Sequence, residues 1–181
     1  MDNLSNKALL IIILIISSMV STPLFADSWR FEPELDETKF NFGEIQIVRG
    51  VDSRENQRFP EFYIKIYKGN KQIAVFPGMS FEQIAASKDQ TVFVAVSNSG
   101  LPKTALMLFD SNGSIRAFLN HGQGNLKYCL ETVTLKRIWY DGENPNITFH
   151  FEDNFLSEIT INSCNGDAIK ISDLLKGKQN N

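Results

Sequence analysis

Short apolar runs separated by turn residues make up most of the chain from residue 61 onward. Three pairs of runs flank residues 69–70, 110–113 and 164–167, and each of these connections contains both Gly and Asn. Tight hairpin turns need positive φ angles, which Gly and Asn tolerate best. The pattern therefore predicts an all-β domain over residues 61–175, built from antiparallel hairpins.

The apolar runs can be arranged as two meanders of four strands each. A short helix over residues 80–87 is an alternative to the first strand, because Phe81, Ile84 and Ala85 have helical spacing. The predicted strands cover residues 81–86, 91–97, 104–109 and 114–119 in the first meander, and 130–140, 147–151, 156–162 and 168–172 in the second.

The two faces of these strands differ between the meanders. Residues 92–96 and 106–109 are apolar on both faces, which is typical of strands covered on both sides. In the strands after residue 147, apolar and polar residues alternate, which predicts one buried and one solvated face. We therefore predict a layered stack whose middle sheet lies between the N-terminal hairpin and the last sheet, with a two-sheet β-sandwich as the alternative.

The meanders also form a weak repeat. Gly113 and Gly166 occupy matching turns, and residues 108–115 read Leu-Phe-Asp-Ser-Asn-Gly-Ser-Ile. The spacing and this phrase resemble a blade of a β-propeller, whose repeats run about 40–50 residues. The resemblance covers residues 62–172 and implies blade-like sheets. Because so few units cannot close a ring, it implies an incomplete, propeller-like stack.

The N-terminus has the order of a secretory signal. A weakly positive start precedes the apolar run 8–16, and small residues lead to Ala26. Spanning a bilayer needs about 20 apolar residues, so we predict cleavage after Ala26, with a retained anchor as the alternative. The mature protein is then secreted or periplasmic. We further predict an arm and linker with one strand over residues 27–60 and a disordered tail over 176–181.

Charge and cysteine content narrow the choice of partners and compartment. The 18 basic and 21 acidic residues are interspersed, so neither nucleic acid nor a membrane beyond the signal segment is a predicted partner. Cys129 and Cys164 predict one disulfide in an oxidising compartment, with two buried thiols as the alternative. The second meander conflicts with this bond because it separates the two residues, whereas bonded Cα atoms lie about 5.5–6 Å apart.

No motif in the sequence carries a specific chemistry. The chain has no Gly-x-Ser-x-Gly elbow, no Cys-x-x-Cys pair and no phosphate loop. Residues 110–121 match a calcium loop only at its first three ligand positions. We therefore predict no catalytic residue, no cofactor and no metal. His121, in a Gly-rich segment, is interpreted as a turn residue in contact with water.

Two sets of residues are candidates for binding. Alternation places His150, Glu158, Thr160 and Lys170 on the polar face of the last sheet, where cross-strand neighbours can touch and an acid–base pair can form. The alternative is an ordinary solvated face. The second set, Trp139-Tyr140, precedes a turn and is a candidate aromatic platform, with a place in the core as the alternative.

These observations favour a binding or interaction module of the cell envelope or exterior, whose partner is an unknown protein or small ligand. A structural subunit that forms a homo-oligomer through its sheet edges is the first alternative. A small hydrolase is the second alternative, and it lacks a supporting constellation of residues.

Overall fold

The computed structural model describes residues 35–55, 60–100, 102–132, 136–143 and 145–176. The predicted signal peptide, residues 27–34 of the predicted arm and residues 177–181 of the predicted tail lie outside the described residues. Within the described part the protein is mostly β, as the sequence predicts, with four antiparallel sheets. The elements are β1 (Leu35–Phe42), β2 (Ile45–Asp52), β3 (Glu61–Lys68), β4 (Lys71–Pro77), β5 (Gln83–Ala86), β6 (Val92–Val96), β7 (Thr104–Asp110), β8 (Ile115–Asn120), β9 (Leu130–Glu131), β10 (Arg137–Ile138), β11 (Thr148–Glu152), β12 (Phe155–Asn162), β13 (Ala168–Lys170) and the helix α1 (Ile171–Lys176).

The N-terminal sheet contains β1, β2, β3 and β4 in chain order. Its β2 and β3 pair in unbroken register from Ile45↔Lys68 to Asp52↔Glu61. One strand was predicted in residues 27–60, whereas β1 and β2 both lie there. β1 was missed because it is largely polar, which an edge strand with one exposed face tolerates.

The middle sheet contains β5, β6, β7 and β8 in chain order, which confirms the first predicted meander. β5 pairs with β6 from Gln83↔Val96 to Ala86↔Phe93, so the helical alternative over residues 80–87 is wrong. A helix of that length is marginal by itself, whereas the strand gains pairing against a fully buried neighbour.

Both faces of the middle sheet are buried, each against a different part of the chain. This arrangement confirms the layered stack, and no closed propeller is formed by the described residues. The resemblance to a propeller blade therefore extends only to the strand pattern. One face packs Phe93, Ala95, Met107 and Phe109 against Ile45, Ile47, Ile64 and Ile66. The other packs Val92, Val94, Val96 and Leu106 against Trp139, Tyr140, Ile159 and Ile161.

The C-terminal layer differs from the second predicted meander. The predicted strand 130–140 is wrong, because β9 and β10 are separate short strands that pair with each other. β11, β12 and β13 form a three-stranded sheet, and the last strand ends at Lys170 because α1 begins at Ile171. The layer is therefore assembled from short pieces.

This break resolves the conflict over the cysteines. The Cys129 N–H donates to Ile138 O (2.8 Å) and the Cys164 N–H donates to Trp139 O (3.2 Å), so both cysteines flank the same short segment. The structure contains the Cys129–Cys164 disulfide, with the Cα atoms 6.1 Å apart. The predicted bond is confirmed, and the predicted strand order was the error.

Candidate binding site

The outer face of the last sheet brings the four polar candidates into neighbouring positions. His150 lies opposite Glu158, and Thr160 lies opposite Lys170. The His150 Nε2 atom is 3.0 Å from Thr160 Oγ1. The alternation read from the sequence therefore places these residues near one another, and the remaining question is what each side chain contacts.

Glu158 contacts the start of α1. Its Oε1 atom accepts hydrogen bonds from the backbone N–H of Ile159 (2.9 Å) and of Ser172 (3.3 Å), and its Oε2 atom accepts one from Ser172 Oγ. Partial burial acts to raise the pKa of Glu158, but these hydrogen bonds and the charge of Lys170 outweigh it and lower the pKa. The carboxylate thus fixes α1 against β12, and an acid–base pair with His150 is not assembled.

Trp139 and Tyr140 are fully buried. The Trp139 Nε1–H donates to Ser97 O at 2.9 Å, and the two aromatic rings pack edge to face with centroids 5.1 Å apart. Neither ring presents a face to solvent. The place in the core, rather than the ligand platform, is therefore the role that the structure gives them.

Asn98 and Glu82 attach this aromatic pair to the end of the middle sheet. The Asn98 Oδ1 atom accepts from the N–H of Trp139 (3.0 Å), and its Nδ2 donates to Tyr140 O (3.2 Å). The Glu82 Oε2 atom accepts from Tyr140 OH (2.9 Å) and from the Asn98 N–H (3.1 Å). Burial, followed by the charge of Glu82, raises the pKa of Tyr140. These contacts hold the segment after β10 in place.

His121 is partly buried against Tyr128, with ring centroids 5.9 Å apart. Its Nδ1 and Nε2 atoms are inaccessible to water and form no hydrogen bond of good geometry within the described residues. His121 lies in a turn, as predicted, but the expected contact of its ring nitrogens with water is wrong. Burial lowers the pKa of His121, and the charge of Arg137 adds to this, while backbone groups of Ser99 and Ser97 act in the opposite direction.

A cavity of about 430 Å³ lies beside the disulfide, and we call it the disulfide cavity. The disulfide borders it, and Asn125 holds its wall to α1 through bonds to Asp173 O (2.9 Å) and Leu174 O (3.4 Å). The cavity therefore lies between residues 125–129, the turn after β12, and α1. Its lining consists of Asn125, Lys127, Tyr128, Cys129, Ser163, Cys164, Asn165, Asp167, Ala168, Ile169, Lys170, Asp173 and Leu174.

The disulfide cavity contains charged groups that form no close ion pair among the described residues. Asp173 is paired with Lys176 at 2.6 Å, and this hydrogen bond lowers the pKa of Asp173. Lys127, Lys170 and Asp167 form no ion pair within the described ranges. Two ammonium groups and one carboxylate therefore stay available in this cavity to a bound molecule.

A second cavity, of about 680 Å³, lies on the outer face of the N-terminal sheet. Apart from Glu61, its charged groups contact one another or Tyr63. Arg54 pairs with Asp52 at 2.6 Å, and hydrogen bonds from Arg54 lower the pKa of Asp52 to about 2. The Tyr63 OH donates to Glu37 at 2.5 Å, and Lys65 Nζ lies 4.1 Å from the Tyr63 ring centre. This cavity is larger than the disulfide cavity, but fewer of its charged groups are without a partner among the described residues and so available to a ligand.

Of the residues that line the disulfide cavity, Lys170 was predicted as a binding residue and Cys129 and Cys164 as a disulfide, whereas the others were not predicted. A usable signal was present, because Lys127 and Tyr128 precede Cys129, and Asn165 and Asp167 follow Cys164. A disulfide brings the residues on either side of both cysteines together. The expected meander hid this neighbourhood by separating the two cysteines.

Two further features of the described ranges concern metal binding and membrane insertion. These residues contain no group of three or more His, Cys, Asp or Glu side chains that could hold a metal ion. They also contain no helix that is both long and apolar enough to cross a membrane. Comparisons of the chain with protein-family models, with curated proteins and with solved structures found no match.

Proposed function

We propose that this protein is an exported binding module of the cell envelope or exterior, and that it holds its ligand or partner in the disulfide cavity. The observation that carries the proposal is a cavity in which Lys127, Lys170 and Asp167, without an ion pair, lie beside the apolar groups of the lining. Binding sites are typically cavities of roughly 300–1000 Å³ with mainly apolar walls and a few orienting polar groups. The disulfide cavity has the size of such a site, and its lining combines apolar side chains with a larger share of polar ones.

The lining favours a ligand that carries charge at both ends of a small apolar body. The ammonium groups of Lys127 and Lys170 suit a carboxylate, and the carboxylate of Asp167 suits an amine. Tyr128 and Ile169 supply apolar surface between them. A short peptide, or the terminus of a longer one, combines all three features.

Export is supported by two independent features of the chain. Residues 1–26 have the order of a signal peptide, and the disulfide suits an oxidising compartment. Cys129 is solvent-exposed, so the bond would meet the reductants of a reducing compartment. A secreted or periplasmic location keeps the cavity wall covalently fixed.

No observation favours a hydrolase. Thr160 and His150 are within 3.0 Å, but this exposed pair lacks an orienting group because the Glu158 carboxylate contacts Ser172. His121 is the other histidine, and its ring nitrogens are shielded from solvent. The binding module is therefore the function that the geometry supports best.

Thermal unfolding with a panel of short peptides and small dicarboxylates tests the proposal. A ligand that binds only the folded protein raises the melting temperature. We expect this shift in the wild type and in the control Lys39→Glu/Lys88→Glu, whose lysines are exposed elsewhere. We expect no shift in Lys127→Glu/Lys170→Glu. An equal shift in both variants would place binding outside the disulfide cavity.

A further inference from the structure

The hairpin between β11 and β12 carries an unusually exposed aromatic side chain. Phe155 is 78% exposed, and Phe151, on the other arm of the hairpin, is 40% exposed. Asp153 and Asn154 both have positive φ angles (49° and 66°), so the connection is a tight two-residue turn. A single exposed apolar side chain is ordinary, whereas exposed apolar surface concentrated in one place and rimmed by polar residues marks an interaction site. We call residues 151–155 the acidic tip.

The charge of the acidic tip comes from Glu152 and Asp153. Glu152 lies opposite Phe155 across the hairpin, and Asp153 is in the turn itself. Both are exposed, and within the described ranges neither forms an ion pair. An exposed aromatic side chain is thus accompanied at the hairpin end by two carboxylates that form no ion pair among the described residues.

The acidic tip and the disulfide cavity lie at opposite ends of one strand. β12 starts at Phe155 and runs for eight residues to Asn162, and the next residue, Ser163, lines the disulfide cavity. A strand of this length spans about 23 Å at roughly 3.3 Å per residue. The tip of a molecule therefore cannot fill the cavity of the same molecule while the sheet is intact.

We propose that the acidic tip of one molecule inserts into the disulfide cavity of a second copy. The charges are complementary in balance: the cavity groups without an ion pair are the ammoniums of Lys127 and Lys170 and the single carboxylate of Asp167, and they meet the two carboxylates of the tip. Phe155 packs on the apolar lining. This inference rests on the proposed function, since it assigns an occupant to the same cavity.

The contact is head to tail, so each pair of molecules keeps one tip and one cavity free. Heterologous contacts of this kind extend into chains unless the rotation between copies closes a ring. The assembly therefore grows with protein concentration beyond a dimer. Because the matching groups are charged and near the surface, rising salt weakens it.

Sedimentation velocity from nanomolar to near-millimolar concentration tests the contact. The wild type is expected to increase in mass, and Phe155→Ser is expected to weaken association by more than about tenfold, as truncation of an aromatic hot spot does. Val75→Ser removes a 43% exposed side chain from the N-terminal sheet and is expected to associate like the wild type. An unchanged Phe155→Ser protein would overturn the inference.

A charge exchange makes the test independent of Phe155. In Glu152→Lys/Asp153→Lys, a positive tip faces the ammonium groups of the cavity. In Lys127→Glu/Lys170→Glu, the acidic tip faces new carboxylates in the cavity. Each variant by itself is therefore expected to stay monomeric. Mixed together, the two variants regain opposite charges at every contact and are expected to associate. Circular dichroism confirms that each is folded. Failure of the folded variants to associate on mixing would overturn the inference.

The outcomes separate this inference from the proposed function. If the wild type stays monomeric but short peptides still bind in the disulfide cavity, the second copy is the wrong occupant and the binding module stands. If the wild type associates and the mixture of variants does not, another surface joins the molecules. If neither association nor ligand binding is found, both proposals fail.

Discussion

The two layers that cover the middle sheet are built in different ways. The N-terminal layer is one sheet in which each strand pairs with the next along the chain, from β1 to β4. The C-terminal layer combines two small sheets, a connecting segment and α1. Its pieces are joined by the disulfide and by the contacts of Asn98 and Glu82, which lie in or beside the middle sheet.

This difference explains where the candidate site lies. Successive hairpins bring close neighbours in the chain together, and in the cavity on the outer face of the N-terminal sheet most polar groups contact one another. Short elements joined by distant contacts leave gaps between them, and the disulfide cavity is such a gap between residues 125–129 and β13. Loops and irregular segments held on a rigid scaffold commonly carry binding function.

The largest expected effect concerns the core of the C-terminal layer. Trp139→Ala removes a fully buried ring whose Nε1–H bonds to Ser97 O, so we expect a loss of about 3–5 kcal/mol in the free energy of unfolding. Urea denaturation measures this loss. A loss below about 1 kcal/mol would mean that Trp139 packs too loosely for a core residue and would reopen the platform interpretation.

The disulfide gives the next largest effect. Cys129→Ala/Cys164→Ala opens a link across 35 residues, and the loop-closure entropy predicts a loss of about 4 kcal/mol. Wild-type protein treated with a dithiol reductant is expected to lose a similar amount, again by urea denaturation. If neither form loses stability, the disulfide does not fasten the C-terminal layer.

Removing the Asn98 side chain is expected to cost less unfolding free energy than removing the disulfide, but more than breaking a side-chain hydrogen bond in the N-terminal layer. Asn98→Ala leaves the buried N–H of Trp139 without its acceptor, which we expect to cost about 2 kcal/mol of unfolding free energy. The control Asn41→Ala breaks the exposed bond from Gln46 (2.8 Å) and should cost less than about 0.5 kcal/mol. Equal losses would remove the distinction between the two layers.

The smallest expected effect is a pH dependence from His121. Folding lowers the pKa of His121 below its ordinary value of 6.5, so the unfolded chain takes up the proton first as the pH falls. Stability therefore decreases as the pH falls below about 6.5, until the folded protein is protonated as well. His121→Phe is expected to flatten the unfolding free energy over this range. His150 is present in both proteins, so a difference between them reports on His121. An equal slope of unfolding free energy against pH in the variant and the wild type would contradict a buried, neutral His121 ring.

The sequence predicted what depends on alternation and on local turns. The order of β5 to β8 follows from apolar runs and Gly-Asn turns, and the shared face of His150 and Glu158 follows from period-two alternation. Residues 130–140 look like one strand because they are rich in β-branched and aromatic residues. The distant contact from the Arg137 N–H to Asn98 O (2.7 Å) is not encoded in local pattern.

The candidate site was only partly predictable for the same reason. Lys170 was identified from its strand, but the role of Glu158 depends on where α1 begins, and alternation extended that strand through Ser172. The disulfide cavity depends on three segments that are distant in the chain. Only the pairing of Cys129 with Cys164 could have indicated two of these segments, because a disulfide brings the residues beside each cysteine close together.

The central claim is that local pairing holds the N-terminal layer, whereas the disulfide and other distant contacts hold the C-terminal one. Hydrogen exchange of the wild type and of Cys129→Ala/Cys164→Ala, followed peptide by peptide, tests it most directly. We predict faster exchange in residues 125–132 and 145–176 of the variant, with residues 35–55 and 60–77 unchanged. An equal increase in both layers, or no increase in either, would contradict the account.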